Sequence, residues 1–160
     1  TPMQTYEAKE LKVVTADPQL TQARFSACGR VLLGASYDAR VRRWDATAAD
    51  WTELPAIEGH GGWVTAIATS ATGELLVSGD SWGQLRCSPY LGEKCDAKWS
   101  VAQAHDCWLR AIAISPDGKT LYLADHDNGT DNLTIGLPNG REAVTCNPSF
   151  AGIFAPHRYF

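Results

Sequence analysis

The chain has 160 residues, a formal charge of −4, 44% apolar residues and 20% charged residues. These proportions exclude a disordered, collagen-like or low-complexity chain and suit one globular domain. The acidic balance argues against a nucleic-acid or anionic-membrane binder, which needs a basic face.

No run nears the roughly 18 apolar residues of a membrane span. Thr1 to Lys12 lacks the charged start and apolar stretch of a signal peptide. Five cysteines, Cys28, Cys87, Cys95, Cys107 and Cys146, are too sparse for a disulfide scaffold and show no zinc spacing. They read as free thiols in a reducing compartment, so the expected location is cytoplasmic. Asn128-Gly-Thr130 and Asn132-Leu-Thr134 are formal glycosylation sequons that matter only in a secreted protein.

Three segments superimpose along the chain. The first begins at Leu20, the second at Val64 and the third at Leu109. Ser26, Ser70 and Ser115 recur at spacings of 44 and 45, as do Gly29, Gly73 and Gly118, and His60 and His105 lie 45 apart. Several markers on one period signal a repeat architecture. The expected repeats run over about 17–60, 61–105 and 106–150, with 151–160 as the start of a further one.

Each unit opens on a half-buried strand. Val64-Thr65-Ala66-Ile67-Ala68 alternates apolar with small or polar residues. A turn follows at Ser70-Ala71-Thr72-Gly73 and at Ser115-Pro116-Asp117-Gly118, where Pro suits the second position and Gly tolerates positive φ. Second strands are predicted at Leu75–Ser78 and Leu121–Ala124. Third strands fall at Val41–Trp44, Leu85–Cys87 and Leu133–Leu137. Weaker fourth strands fall around Thr52–Ile57, Lys98–Ala102 and Glu142–Thr145. No stretch has sustained helical periodicity. The fold class is therefore all-β, and four antiparallel strands per period of about 44 select β-propeller blades.

The chain resembles the WD-repeat β-propeller family through Gly59-His60 before a strand, Ser115-Pro116-Asp117-Gly118, the Ser36-Tyr37-Asp38 turn and Trp44-Asp45. The likeness covers roughly Lys12 to Thr145. In that family a His, a Ser or Thr, an Asp and a Trp form a structural network within a blade. The resemblance implies Ser36, Asp38 and Trp44 in the first unit, with Ala16 in place of the His. It implies His60 and Ser78 in the second, where Trp82 holds the turn position and Ser88 ends the third strand. It implies His105 and Asp127 in the third, with Gly136 in place of the Trp. No unit has the full set.

The ends also bear on the ring. Glu10 to Val14 aligns with the fourth strand of a preceding unit, and Gly152 to Phe160 resembles the opening of a fourth. The chain thus holds about three and a half blades, a partial or half propeller. Propellers close with about four to eight blades, and an open half-ring leaves uncovered edges and faces. Three arrangements answer this: a segment of a longer polypeptide, two associating copies, or an autonomous small β fold.

Catalytic and cofactor motifs are absent. There is no Gly-x-Ser-x-Gly, no phosphate loop and no Gly-x-Gly-x-x-Gly. Neither a cofactor nor a resident metal is expected. Asp125 to Asn132 reads as a polar loop inserted between the second and third strands. Its alternating carboxylates suggest calcium as an alternative, although Gly129 is early and no Glu follows. Arg40, Arg42 and Arg43 read as solvated or ion-paired. Trp63 and Trp108 start equivalent strands, and Tyr37, Trp82 and His126 fall on turns between second and third strands. By resemblance these loops share one rim, where aromatics make good binding anchors. The expectation is a non-catalytic scaffold binding a protein or peptide there. The alternatives are a regulatory or sensory domain of a larger enzyme, and a calcium- or small-ligand-binding propeller.

Overall fold

The alternating segments form twelve strands among the described residues of a computed structural model of the chain. It describes residues 7–10, 12–71, 75–105, 107–115 and 121–124, together with the strand backbone of 125–127, 130–136 and 143–146. Among the described residues there is no helix, and so none long and apolar enough to cross a membrane.

The strands make three four-stranded antiparallel sheets, each in simple sequence order. Blade 1 holds β1 (Leu20–Phe25), β2 (Val31–Ser36), β3 (Val41–Asp45) and β4 (Glu53–Ile57). Blade 2 holds β5 (Val64–Thr69), β6 (Leu75–Asp80), β7 (Leu85–Pro89) and β8 (Trp99–Val101). Blade 3 holds β9 (Leu109–Ile114), β10 (Leu121–Asp127), β11 (Thr130–Gly136) and β12 (Ala143–Cys146). Neighbouring strands follow one another in sequence, so every blade is a local meander.

The recurring serine has a physical reason. Ser26 Oγ accepts the Val31 amide at 3.1 Å, and Ser70 Oγ accepts the Leu75 amide at 3.1 Å. In each case the serine's own amide donates to the same residue's carbonyl at 2.8 Å, which closes the first hairpin. A short side chain that satisfies a turn amide is what Ser offers at such positions.

Blades stack face to face through two apolar clusters. Val31, Leu33, Ala35 and Val41 of blade 1 meet Val64, Ile67 and Leu76 of blade 2. Ala66, Ala68, Val77, Leu85 and Cys87 of blade 2 meet Leu109, Ile112, Leu121 and Leu123 of blade 3. Blade 2 is thus packed on both sides, and each fully buried aliphatic there is worth roughly 1.5–3 kcal/mol.

Polar clips set the stacking register. The pairing of β1 with β2 shifts at Thr21, and that of β5 with β6 shifts at Thr65. Each bulge re-aims its threonine. Thr21 Oγ1 donates to the Val64 carbonyl at 2.6 Å, and Thr65 Oγ1 donates to the Leu109 carbonyl. The Ile67 amide also donates to Gln22 Oε1 at 2.8 Å.

Several expectations need correction. Arg43 is not solvated or ion-paired: its side chain is fully buried and donates to the carbonyls of Pro55, Tyr90 and Gly92 at 2.7, 2.9 and 3.0 Å. It shares the inward face with Val41, so strand alternation carries it into the contact between blades 1 and 2. Arg40 and Arg42 do form ion pairs, with Glu58 at 3.2 Å and with Asp38 and Glu53 at 2.7 and 2.9 Å. The described residues of 10–14 form no strand. The stretches 125–127 and 130–132 are paired strand rather than inserted loop, because β10 and β11 pair through Asp125↔Asn132, His126↔Asp131 and Asp127↔Thr130. Cross-strand hydrogen bonding overrides the polar composition there. The expected opening of a fourth unit, 151–160, lies outside the described residues.

Candidate functional site

Antiparallel order puts the start of each first strand and the end of each second strand at the same end of its blade. Tyr37 follows β2, Trp63 precedes β5, Trp82 follows β6 and Trp108 precedes β9. All four lie on this rim.

Three of them form a ladder across the blades. The Tyr37 and Trp63 ring centroids are 5.0 Å apart at 75°, and those of Trp63 and Trp108 are 5.6 Å apart at 75°. Edge-to-face pairs like these add about 0.5–1.5 kcal/mol each beyond area burial. The rings nevertheless stay wet: Tyr37 is 41% exposed, Trp63 44% and Trp108 48%. Trp82 is more open still, at 69%. Its indole lies over Gly61 and Gly62, where an added Cβ would come within 3.2 Å of the ring. The paired glycines leave room for that flat contact. Of the expected binding residues, His126 is placed by its backbone in β10 at this same end, and its side chain lies outside the described residues.

Beneath the rim sits a buried polar network. His60 Nδ1 donates to Asp80 Oδ2 at 3.1 Å, and His60 Nε2 bonds Ser78 Oγ at 2.7 Å. Both the His60 and Asp80 side chains are buried. The other Asp80 oxygen, Oδ1, accepts the amides of Trp82 and Gln84, each at 2.9 Å, and Oδ2 also accepts Gly62 N–H at 3.4 Å. One carboxylate therefore holds the turn carrying Trp82 and the loop carrying Trp63. The adjacent Ser81 reinforces that loop: its amide donates to the Trp63 carbonyl at 2.9 Å, and its Oγ accepts the Trp63 amide at 3.1 Å. Burial alone raises the Asp80 carboxyl, but the His60 hydrogen bond and the Gln84 and Trp82 amides outweigh it and hold the group below its usual range.

Sequence reasoning had missed Asp80. The alignment looked for the acid at the position of Trp82, two residues later. The signal was an acidic residue ending an otherwise apolar strand, a place where a carboxylate needs buried donors. In blade 1 the acid lies two residues further along the turn, at Asp38. Asp38 meets Arg42, reaching over from β3, and its amide donates to Ser36 Oγ at 3.4 Å. Burial raises the Asp38 carboxyl, but the bonds from Ser36 and Arg42 win and lower it. Trp44 is buried, and Gly34 leaves room for its ring and for Leu20.

The remaining expected network residues are divided. His105 is buried, and its loop is tied to blade 2 by the Ala104 amide donating to the Gly83 carbonyl at 2.8 Å. The Asp127 side chain lies outside the described residues. Ser88, where blade 2 lacks the tryptophan, is buried with no hydrogen-bond partner for its hydroxyl.

A second aromatic pair marks the opposite rim. Phe25, at the end of β1, meets Trp51 between β3 and β4 with centroids 5.8 Å apart at 83°. The described residues hold no group of three or more His, Cys, Asp or Glu arranged for a metal.

The family model described as "WD domain, G-beta repeat" matches residues 51–87. The chain is 30% identical over 98 residues to eukaryotic translation initiation factor 3 subunit I of Mycosarcoma maydis. It is 36% identical over 61 residues to the "Probable serine/threonine-protein kinase PkwA" of Thermomonospora curvata. These matches take in 61% and 38% of this chain, but only 26% and 8% of those proteins. The chain therefore spans about a quarter of the first relative and less than a tenth of the second. A chain in a crystal structure of the mitotic checkpoint complex superimposes with a TM-score of 0.66 at 20% identity. That match covers 78% of this chain and 37% of the other, and it shows the fold alone.

Proposed function

We propose that this chain, a member of the WD-repeat β-propeller family, is a non-catalytic scaffold that binds a protein or peptide through the Tyr37–Trp63–Trp108 rim. The observation that carries this reading is the ladder itself. Three large rings touch in succession, Trp63 between Tyr37 and Trp108, on separate blades, and each keeps two fifths or more of its surface in water. Rings already held edge to face lose little conformational freedom on binding, so a partner meets a preorganised apolar surface. Trp82 extends the same surface and Asp80 fixes the backbone beneath it. The relative named as a subunit of a translation initiation factor supports a role among protein partners. A cytoplasmic setting accords with Cys28, Cys87 and Cys95, which are unbridged thiols.

Affinity capture from a native extract tests this, comparing wild type with Trp63→Ala and Trp108→Ala. The variants should keep their β-sheet circular dichroism and lose partners that wild type retains. If they capture the same partners while Phe25→Ala on the opposite rim loses them, the binding face is the other one.

A second reading has one observation in its favour, the likeness to a protein described as a kinase. There the chain would be a regulatory propeller beside a catalytic domain. The rim would then contact that domain, and joining the two in one polypeptide should change the enzyme's rate in a Trp63-dependent way.

A further inference from the structure

Two equivalent arginines meet different surroundings. Arg42 stands on β3, and Arg86 takes the same place one repeat later on β7. In blade 1 two carboxylates answer the Arg42 guanidinium. Its Nη2 donates to Asp38 Oδ2 at 2.7 Å and its Nη1 to Glu53 Oε1 at 2.9 Å. Blade 2 has neither acid. Trp82 holds the turn position of Asp38. Trp99 pairs with Cys87 as Leu54 pairs with Arg43, so Lys98 stands at the place of Glu53. Among the described residues, the Arg86 side chain accordingly has no hydrogen bond and no ion pair.

The guanidinium nevertheless reaches the rim. It lies against the exposed Gly59, where an added Cβ would stand 2.5 Å from Nη2 and 2.6 Å from Cζ. The Trp82 indole lies over Gly61 and Gly62 of the same loop. Arg86 and Trp82 thus border one short loop, a charge at one end and an open ring at the other. The neighbouring Glu58 is turned to Arg40 at 3.2 Å. Arg86 Nε is buried without a partner, and so is the hydroxyl of Ser88, two residues along the same face of β7. A half-buried guanidinium with no counter-charge has lost hydration without replacement. An incoming carboxylate supplies it through two parallel N–H bonds.

We propose that the partner is an acidic peptide segment: Arg86 takes one of its Asp or Glu carboxylates while an adjacent apolar side chain lies on Trp82. This deepens, and rests on, the reading of the Tyr37–Trp63–Trp108 rim as a binding face. Blade 1 supplies the same chemistry to Arg42 from within the chain, and Asp38 and Glu53 show that carboxylates fit a guanidinium at this position. Blade 2 exchanges the internal acid for an indole. The charge left without a partner and the ring that stands in the acid's place then serve one ligand.

Selection of random peptides displayed on phage, with the purified chain as bait, tests this. Retained peptides should be enriched in Asp or Glu next to Trp, Phe or Leu. Such a peptide, made synthetically, should bind Arg86→Gln about tenfold or more weakly than wild type. Changing its acid to the amide should weaken wild-type binding by the same factor and leave Arg86→Gln unmoved, as a double-mutant cycle requires of a direct contact. Arg86→Glu should select Lys or Arg instead. Should Arg86→Gln lose its β-sheet signal, the cycle runs with Arg86→Lys, which keeps the charge and gives up the fork; the loss is then smaller and still vanishes with the amide peptide. No enrichment of acids overturns the pairing, as does an acidic peptide that binds Arg86→Gln as tightly as wild type. Peptides lost in Trp63→Ala but indifferent to Arg86 overturn the pairing and leave the ladder standing. Acidic peptides that need Arg86 but not Trp63 keep the Arg86 contact and overturn the ladder. A library from which the chain enriches no peptide overturns both.

Discussion

Blades 1 and 2 hold the same turn with different chemistry. In blade 1, Asp38 is gripped by Arg42 from the neighbouring strand, and the pair stays partly wet with side chains 18% and 19% exposed. In blade 2, Asp80 is gripped by His60 from the preceding loop, and both side chains are sealed. The first arrangement resembles a surface ion pair, worth about 0–1 kcal/mol. The second is a dry, multiply bonded carboxylate, whose loss strands several donors at about 1–3 kcal/mol each. Sealing the network is what lets blade 2 present Trp63 and Trp82 on fixed backbone.

The turn backbones sharpen this contrast most. Gly83 has φ +80 and an added Cβ would lie 1.8 Å from the His105 carbonyl, whereas the equivalent Ala39 carries a side chain at φ 64. Gly83→Ala should cost about 4 kcal/mol or more, because backbone cannot yield as a flexible side chain does. Chemical denaturation reads this, and a cost below about 1 kcal/mol would mean that the turn and the His105 loop are not clamped together.

Next come the acids. Asp80→Asn should cost about 3 kcal/mol and Asp38→Asn about 1 kcal/mol. Equal losses would erase the distinction between a sealed and a wet network. The same groups set the acid limb of stability. Both carboxyls are held below their ordinary range in the folded chain. Their contribution is therefore complete above the unfolded carboxyl value of about 3.9 and is lost as pH falls through the lower folded values. As pH falls below about 4, stability should be less pH-dependent in Asp80→Asn than in wild type. Identical slopes would show that Asp80 is not held low.

Smaller and opposite in sign is Ala39→Gly. Relief of the left-handed backbone should exceed the added chain entropy, for a gain of about 0.5 kcal/mol. A loss would mean that the Ala39 methyl packs. Outside the stability scale lies Cys28, whose thiol is lowered to about 6 by bonds from Ser26 and Arg30. Burial raises Cys87 and Cys95 instead. Limited alkylation at pH 7 followed by peptide mapping should mark Cys28 first, because thiolate is the reactive form. Prior labelling of Cys95 would contradict that order.

The sequence carried the blades more clearly than the site. Three runs of strands were legible because Ser26 and Ser70 recur for a fixed structural reason and the turns follow them. For the rim aromatics Tyr37, Trp63, Trp82 and Trp108, the residues alone marked equivalent turns and strand starts, and a common rim was only what the family resemblance implied. Their contact was not legible, since it depends on how adjacent blades rotate. Asp80 escaped because the network accepts the acid two residues earlier, once Gly62, Trp82 and Gln84 supply amides to it. Arg43 escaped because arginine seldom enters a core, although its shared face with Val41 pointed inward. The strand pairing of 125–127 with 130–132 escaped because the polar composition there favours a loop, while hydrogen bonds to a partner strand are invisible to composition.

The blade-2 clamp is tested most directly by native-state hydrogen exchange resolved by residue. With apolar packing on both faces and a sealed network at one end, the amides of Leu76 to Gly79 in β6 should exchange last. They should outlast those of Leu32 to Ala35 in β2 by roughly tenfold or more, about 1.4 kcal/mol in opening free energy. Slower exchange in β2 than in β6 would contradict it.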